Sequence, residues 1–295
     1  MNRGSVGPNY RKSRVAFQGE PGAFSEAAAV QLLGEQITTV PRPTFEATFR
    51  AISENAADAL LVPVENSLAG SVVRVYDLML ESQLAIVAET ILPIELHLIA
   101  CPGASLDEIR SISSHPMALA QCERFFDAHP QVRRVPAEDT AGSVRQVLLV
   151  GDKTHAAIAG SRAAVHYGGV VLQSRIQDNT ANFTRFVLLV PKDPGRGFSS
   201  PQPSQVMKMS IAMRLAHRPG SLLESLQPFA KHGVNLLKIE SRPIQGRPWE
   251  YQFFIDVESN DSERLDLALA DLNHAVHELR VLGLYHPARV ASEAR

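Results

Sequence analysis

The chain has little cysteine, little net charge and no long apolar run. Its 295 residues include only two cysteines, Cys101 and Cys122, which are too few for a disulfide framework or a thiolate metal cluster. Both are predicted to be buried thiols in a protein of a reducing compartment. The 29 Lys and Arg nearly balance the 31 Asp and Glu, so no global field favours a nucleic-acid partner.

Membrane and secretion signals are also missing from the sequence. No segment approaches the roughly 20 apolar residues that span a bilayer, so no membrane partner is expected. Residues 1–13 are basic but contain no apolar stretch, and a secretory signal needs one. We expect a disordered tail over residues 1–13 and a cytoplasmic protein.

The short motifs of metal and nucleotide sites do not occur. The chain contains no HExxH, CxxC, GxGxxG or GxxxxGK[ST] pattern, and its ten histidines are scattered. We therefore predict neither a metal site nor a cofactor.

Length and composition indicate two folded domains. At roughly 100 to 200 residues per domain the chain is long enough for two, and 45% hydrophobic residues suit ordinary cores. Proline, glycine and serine concentrate at 191–205, which predicts a linker between a domain at 14–190 and another at 206–287.

The upstream domain alternates short apolar runs with helical patterns. Helices are predicted from about Ser25, Ser67 and Ala141, each after an apolar run. This alternation favours an open, mainly parallel α/β sheet, in one lobe or in two. Ligands of such folds bind beyond the carboxyl ends of the strands, near helix N-termini.

The downstream domain has a different pattern. VMKMSIAMRL and WEYQFFIDVE alternate apolar and polar residues, as half-buried strands do. Two helical patterns and two further strand patterns complete the order βαββαβ, which predicts a ferredoxin-like plait.

Three strand-to-helix junctions are rich in glycine and hydroxyl groups. They lie at 19–25, 65–71 and 139–143 and offer backbone N–H groups at helix N-termini, which suit a small anionic ligand. The alternative is that they are ordinary capped helices.

Two further segments carry candidate functional side chains. At 114–116 Ser114 is predicted to cap a helix, and His115 is either a general acid or a structural, capping residue. At 182–186 polar groups precede a very apolar strand, and Arg185 suits bidentate binding of a carboxylate. An ion pair between Arg185 and Asp178 is the alternative.

Several blocks resemble the prephenate dehydratase family in the family's order. They are GEPGAFSEAA at 19–28, VPVENSLAGSV at 62–72, SHPMALAQC at 114–122, DTAGS at 139–143 and NFTRF at 182–186. RPGSLLESL at 218–226 and IESRP at 239–243 resemble an ACT domain. The resemblance implies an α/β fold with a two-lobed, periplasmic-binding-protein-like catalytic domain and a ferredoxin-like ACT regulatory domain.

The resemblance also implies the site residues. The catalytic ones are Thr184, Glu65, Asn66 and Gln121, and the substrate-binding ones are Ser67, Ser114, Thr140, Arg185 and Phe186. A phenylalanine effector site is implied at Gly220, Ser221, Leu222, Asn235, Leu236, Glu240, Ser241, Arg242 and Pro243, between the subunits of a homodimer or homotetramer. Ser221 stands where many members of the family carry alanine.

The implied reaction is loss of carbon dioxide and hydroxide from prephenate, feedback-regulated by phenylalanine. The leaving hydroxide needs a proton, and Thr184 or a buried Glu65 could donate it. No cofactor is needed because the aromatic ring that forms drives the reaction. Two alternatives stay open, an arogenate dehydratase and a non-catalytic amino-acid sensor.

Overall fold

The computed structural model describes residues 12–192, 206–244 and 246–288, which fall into two compact units. The larger unit contains residues 12–82 and 90–187. The smaller unit contains residues 83–89 and the described residues from Leu188 onward. Most of the predicted tail and linker, residues 1–11 and 193–205, lies outside the described residues.

The first lobe of the larger unit is built on a mainly parallel sheet. Its strands are β1 (Arg14–Gln18), β2 (Thr38–Arg42), β3 (Ala59–Asn66) and β11 (Phe183–Pro191, which continues into the smaller unit), in the order β11-β3-β1-β2. β1 pairs in parallel with β2 and β3. Helices α1 (Phe24–Leu33), α2 (Phe45–Ser53) and α3 (Val73–Glu81) surround it. The strand cores VAF and ALLV are fully buried, as strands covered on both faces are.

The second lobe has a separate five-stranded sheet. Its strands are β6 (His97–Ala100), β7 (Ser111–Ser114), β8 (Arg133–Pro136), β9 (His155–Ala159) and β10 (Val170–Gln173), in the order β10-β6-β9-β7-β8. β7 pairs in parallel with β8 and β9, whereas β6 pairs antiparallel with β9 and β10. Its helices are α4 (Pro116–Ala120), α5 (Glu123–Ala128), α6 (Thr140–Val150) and α7 (Ser161–Tyr167). Two lobes are therefore present, and the second sheet is mixed.

One predicted helix start is wrong. The helix expected from about Ser67 begins at Val73, because the chain first turns back through β4 (Gly70–Ser71), which pairs antiparallel with the end of β3. The side-chain oxygen of Asn66 accepts hydrogen bonds from the backbone N–H groups of Leu68 and Ala69 and so holds this turn. Polar side chains that bind nearby backbone groups favour turns over helix.

The capping prediction at 114–116 is corrected in part. His115 caps α4, since its Nδ1 accepts from the backbone N–H of Met117 at 3.2 Å, and Pro116 occupies the first turn. Ser114 is not the cap. Its hydroxyl is buried and donates to the carbonyl of Ile158 at 2.6 Å, which ties β7 to its neighbour β9.

The smaller unit confirms the βαββαβ order. Its elements are β12 (Met207–Arg214), α8 (Ser221–Lys231), β13 (Asn235–Ile244), β14 (Arg247–Ser259), α9 (Ser262–Ala275) and β15 (Glu278–Tyr285), with strand order β13-β14-β12-β15. The alternating apolar side chains of β12 and β14 pack against Phe229, Leu265 and Leu272 of the two helices.

The smaller unit also includes part of a strand from earlier in the chain. The first residues of β5 (Leu84–Pro93) pair in parallel with β15, where Gly283 lies beside Ile86. A Cβ atom on Gly283 would lie 2.2 Å from the Ile86 carbonyl oxygen, so only glycine allows this approach.

Both cysteines are buried and unpaired, as predicted. No helix among the described residues is long and apolar enough to cross a membrane.

Candidate active site

A cluster of side-chain amides joins the end of β3 to the start of β11. The Asn66 Nδ2 donates to Asn182 Oδ1 at 2.8 Å and to Thr184 Oγ1 at 2.9 Å. Asn182 Nδ2 in turn donates to Gln121 Oε1, 3.1 Å away at the end of α4. The structure thus brings together three predicted catalytic residues, and Asn182 connects them. Sequence reasoning noted Asn182 only as a polar residue, although its place beside Thr184 was a signal.

Ser67 ties the backbones of this region together. Its N–H donates to the Phe183 carbonyl, and its hydroxyl donates to the Ala181 carbonyl while accepting from the Phe183 N–H, all at 2.9 Å. The hydroxyl is therefore already occupied by backbone groups. These bonds hold the strand start that carries Asn182 and Thr184 against the turn that carries Asn66.

A cation lies beside the amide cluster. Arg185 is 12% exposed, and its Nη1 lies 3.8 Å from Glu65 Oε2, whose side chain is 39% exposed. Asp178, the alternative partner from the sequence, accepts the backbone N–H groups of Glu123 and Arg124 at the start of α5. Glu65 is thus an acidic side chain near Arg185, and a guanidinium is a group that binds carboxylates.

Three other predicted site residues have different surroundings. Ser114 is bound to Ile158, as described above. Thr140 is the first residue of α6, which Asp139 caps by accepting from the Gly142 N–H at 2.6 Å. Phe186 is buried in β11 among core residues. Among the described residues, no hydrogen bond of the amide cluster involves these three side chains.

The loop at 19–23 is held by Glu26, a residue that sequence reasoning did not single out. The buried Glu26 carboxylate accepts from the Gly22 N–H at 2.6 Å, from Thr39 Oγ1 at 2.8 Å and from Arg162 Nε at 3.2 Å. Burial alone would raise the pKa of Glu26, but these three donors outweigh it and the pKa is lowered. Arg162 belongs to α7, so the ionised Glu26 links the two lobes.

The same loop makes a close backbone contact. Gly22 has φ +85°, and a Cβ atom there would lie 2.7 Å from the Cα of Ala163 in α7. Gly22 therefore lets the chain turn at this junction and also allows the loop to pack closely against α7 of the second lobe. Among the residues that the structure describes, no group of three His, Cys, Asp or Glu side chains could hold a metal.

The smaller unit contains a separate pocket at the predicted effector turn. Gly220 has φ +83° at the start of α8, and a cavity of about 390 Å³ is lined by residues 215–219, Ser221, Glu250, Tyr251 and Phe253. Arg218 and Glu224 form an ion pair at the mouth of this turn. The pocket thus has an aromatic wall and backbone N–H groups near a helix start, which suits an amino acid with an apolar side chain.

The other predicted effector residues lie on β13. This strand pairs only with β14 among the described residues, so one side of it is an edge. Glu240 lies 3.3 Å from Lys238, and the Arg242 guanidinium lies 5.8 Å from the centre of the Phe254 ring. Asn235 donates to Glu258 at 3.2 Å, whereas Leu236, Leu237 and Ile239 are exposed.

Comparison with known protein families decides the assignment. The model of the family described as prephenate dehydratase matches residues 15–194, and the ACT domain model matches residues 209–273. The chain belongs to the prephenate dehydratase family. The family resemblance seen in the sequence is confirmed, as is the pairing with a C-terminal ACT domain.

Individual relatives agree with this membership. The bifunctional chorismate mutase/prephenate dehydratase of Aquifex aeolicus is 35% identical over 280 residues, which cover 94% of this chain and 75% of that protein. The arogenate dehydratase/prephenate dehydratase 1 of Arabidopsis thaliana is 37% identical over 289 residues, covering 93% and 72%.

Solved structures share the fold over nearly the whole chain. The prephenate dehydratase from Arthrobacter aurescens in complex with L-Phe has a TM-score of 0.82 at 35% identity, covering 95% of this chain and 93% of that one. GqqA, described as a novel type of quorum quenching acylase, has a TM-score of 0.84 at 33% identity, covering 94% and 98%.

Proposed function

We propose that this protein converts prephenate to phenylpyruvate in the synthesis of phenylalanine. The observation that carries the proposal is Thr184, a residue only 8% exposed, whose hydroxyl oxygen accepts from the Asn66 amide and whose neighbour in the chain is Arg185. Prephenate has two carboxylates and a ring hydroxyl, and this arrangement offers a cation for one carboxylate and a donor for the hydroxyl.

The reaction balances without an external reagent. The bond between the ring and its carboxylate breaks, and carbon dioxide leaves. The released electron pair becomes part of the aromatic ring as the carbon–oxygen bond to the ring hydroxyl breaks. That oxygen leaves as hydroxide or, after receiving a proton, as water. Proton or hydrogen-bond donation to it is the step that the protein must supply.

Thr184 suits this step better than Glu65. The Asn66 amide donates to the Thr184 oxygen, so that oxygen already accepts a hydrogen bond and the hydroxyl hydrogen is available to donate. Glu65 has a half-exposed side chain that lies 3.8 Å from Arg185, so the burial that would make it an alternative donor is incomplete. Arg185 would hold the side-chain carboxylate of prephenate, since guanidinium groups bind carboxylates through two hydrogen bonds.

The test is turnover of prephenate and arogenate side by side by the purified protein. We expect phenylpyruvate from prephenate at the higher rate. Phenylalanine from arogenate alone would make the protein an arogenate dehydratase with the same site, an activity named for the Arabidopsis relative. Binding without turnover of either compound, in folded protein, would support the sensor alternative and overturn the proposal.

We further propose that phenylalanine regulates the activity by binding the smaller unit. The pocket beside Gly220, the acidic Glu240 and the L-Phe complex of the Arthrobacter relative support this site. Glu240→Gln should weaken L-phenylalanine binding at least tenfold by calorimetry. Glu263→Gln, an exposed change on α9, should leave it unaltered. Equal affinities of the two variants for L-phenylalanine would show that Glu240 does not contribute to binding.

Assembly as a homodimer or homotetramer is part of the same proposal. The edge strand β13 exposes Leu236, Leu237 and Ile239, an apolar row that a second copy could cover. Leu237→Lys should reduce the mass measured by light scattering, whereas Leu267→Lys, an exposed change on α9, should not. A monomeric wild-type protein would contradict the assembly. The two buried, unpaired thiols support a location in the reducing cytoplasm.

A further inference from the structure

The direction of each hydrogen bond in the amide cluster can be read from the backbone. The N–H groups of Leu68 and Ala69 point at one side-chain atom of Asn66, at 3.0 and 2.8 Å. A backbone N–H can only donate, so this atom is the amide oxygen. The other terminal atom of Asn66 is therefore its nitrogen, and the orientation of this side chain is fixed.

That orientation determines the next side chain. The Asn66 nitrogen also lies 3.2 Å from the Phe183 carbonyl oxygen, so its two hydrogens are shared among that oxygen, Asn182 and Thr184. An amide nitrogen donates and does not accept, so the Asn182 atom that faces it, at 2.8 Å, must be its oxygen. The Asn182 nitrogen then faces Gln121 Oε1 at 3.1 Å and donates to it. Gln121 receives this bond on its oxygen, so its own two amide hydrogens are not used by Asn182.

The position of Asn182 leaves it little freedom to rearrange. The residue is 1% exposed, and its carbonyl accepts from the Ile94 N–H at 2.8 Å. A buried amide that loses a partner cannot replace it with bulk water, so each unmade bond destabilises the arrangement. The side chain joins Asn66 of the first lobe to Gln121 of the second through one donor and one acceptor.

We propose that Asn182 is a positioning residue for the reaction, because it transmits the fixed orientation of Asn66 to Gln121 and so aims the Gln121 amide donor at the substrate. This inference rests on the proposed function of the same site. Asn182 itself need not touch the substrate. Its contribution is to make Gln121 a donor and to hold the amide beside Thr184.

Asn182→Asp tests this role, because the two side chains have the same shape. The ionised carboxylate still accepts from Asn66 but cannot donate to Gln121, whereas the protonated carboxyl can do both. We expect kcat to fall about 100-fold near pH 8 and to recover about tenfold toward pH 5.5 as the introduced carboxyl is protonated. A merely structural role would give no recovery in acid.

Asn179→Asp is the matched control. Asn179 is exposed in the same segment and uses only its side-chain oxygen, which accepts from the Ala181 N–H at 2.8 Å. A carboxylate can make the same bond, so this variant should keep the wild-type kcat and pH profile. In a Gln121→Ala background, Asn182→Asp should cost little further activity, since the group that it orients is gone.

These experiments distinguish a failure of the Asn182 inference from a failure of the proposed function. If the wild type is active and Asn182→Asp keeps the wild-type kcat and pH profile, the inference about Asn182 is overturned. The proposed function is unaffected by that result. Loss of activity at every pH, additive with Gln121→Ala, would also overturn the inference in favour of a general packing role. A folded wild type that turns over neither prephenate nor arogenate would overturn the proposed function and this inference together.

Discussion

Thr184 shows how much of this site depends on the surroundings of single residues. A threonine hydroxyl is a weak acid, so the donor role proposed for Thr184 depends on its burial and on the Asn66 amide that donates to its oxygen. Burial makes the Cys122 thiol harder to deprotonate. It raises the pKa of that thiol to about 12, with further contributions from Asp178 and Glu123.

Cys122 should therefore be unreactive in the folded protein. Only the thiolate is a strong nucleophile, and at pH 8 a group with a pKa of about 12 is almost wholly protonated. We expect a disulfide reagent to modify neither Cys122 nor the buried Cys101 until denaturant is added, after which both react. Rapid modification of Cys122 in native buffer would contradict its burial.

The family resemblance named candidate site residues without giving their contacts. Asn66, Gln121 and Thr184 do lie together. Ser114 was expected to cap a helix, but its hydroxyl binds the Ile158 carbonyl, 44 residues away in sequence. Local patterns carry capping preferences and do not encode such long-range partners, which is also why Asn182 was not recognised as the connecting residue.

At the scale of elements, the junction between β1 and α1 depends on the second lobe. The loop at 19–23 was predicted from its glycines and hydroxyl groups, and the structure adds that Gly22 and Glu26 both contact α7. The helix start at Ser67 was misplaced because a two-residue strand intervenes. Such a short return strand has no periodicity of its own that a sequence could reveal.

Gly22 in this junction and Gly151, which follows α6, separate the effect of backbone strain from that of crowding. Gly22 and Gly151 both have positive φ, +85° and +74°, but a Cβ atom meets Ala163 only at Gly22. Both alanine variants should lose about 1 kcal/mol from strain, and Gly22→Ala a further 1–3 kcal/mol from overpacking. Denaturant unfolding measures the difference. Equal losses would show that α7 does not press on the loop.

The link from Glu26 to Arg162 should make stability depend on pH. The folded-state pKa of Glu26 lies below the ordinary glutamate value of 4.5, so its stabilising contribution is present above about pH 4.5 and is lost as the pH falls through the lower folded value. Glu26→Gln should lower Tm at pH 7, with a difference from wild type that shrinks in acid. A difference that stays constant with pH would exclude the charge as its cause.

At the scale of the whole molecule, the smaller unit combines segments from distant parts of the sequence. Glu89 of β5 and Lys208 of β12 form a buried ion pair at 3.2 Å, with Asp256 Oδ2 at 3.9 Å from the Lys208 nitrogen. Ser210 donates to Asp256 at 2.5 Å and contacts the Tyr285 hydroxyl. The alternating pattern of β12 predicted a half-buried strand with Lys208 and Ser210 on its polar face. Both residues are buried, because Lys208 pairs with Glu89 and Ser210 contacts Asp256 and Tyr285.

Lys208→Met should strongly destabilise the smaller unit. The change removes the Lys208 ammonium from the buried carboxyl groups of Glu89 and Asp256, and breaking a buried pair from one side typically costs about 3–5 kcal/mol. Adding Glu89→Gln should restore part of the lost stability, since one of the two buried carboxyl groups becomes a neutral amide. Urea unfolding, followed by the helical circular dichroism signal, measures the free energy of unfolding of both variants. A loss below about 1 kcal/mol would mean that water already reaches the cluster.

The central claim, that Thr184 donates to the leaving hydroxyl, is tested most directly by the prephenate kinetics of Thr184→Val and Thr184→Ser. Valine keeps the shape but has no donor, so kcat should fall about 10²–10⁴-fold while the affinity for prephenate changes little. Serine should retain most of the activity, and Thr38→Val, an exposed change on β2, should keep all of it. A Thr184→Val enzyme with wild-type kcat would contradict the account.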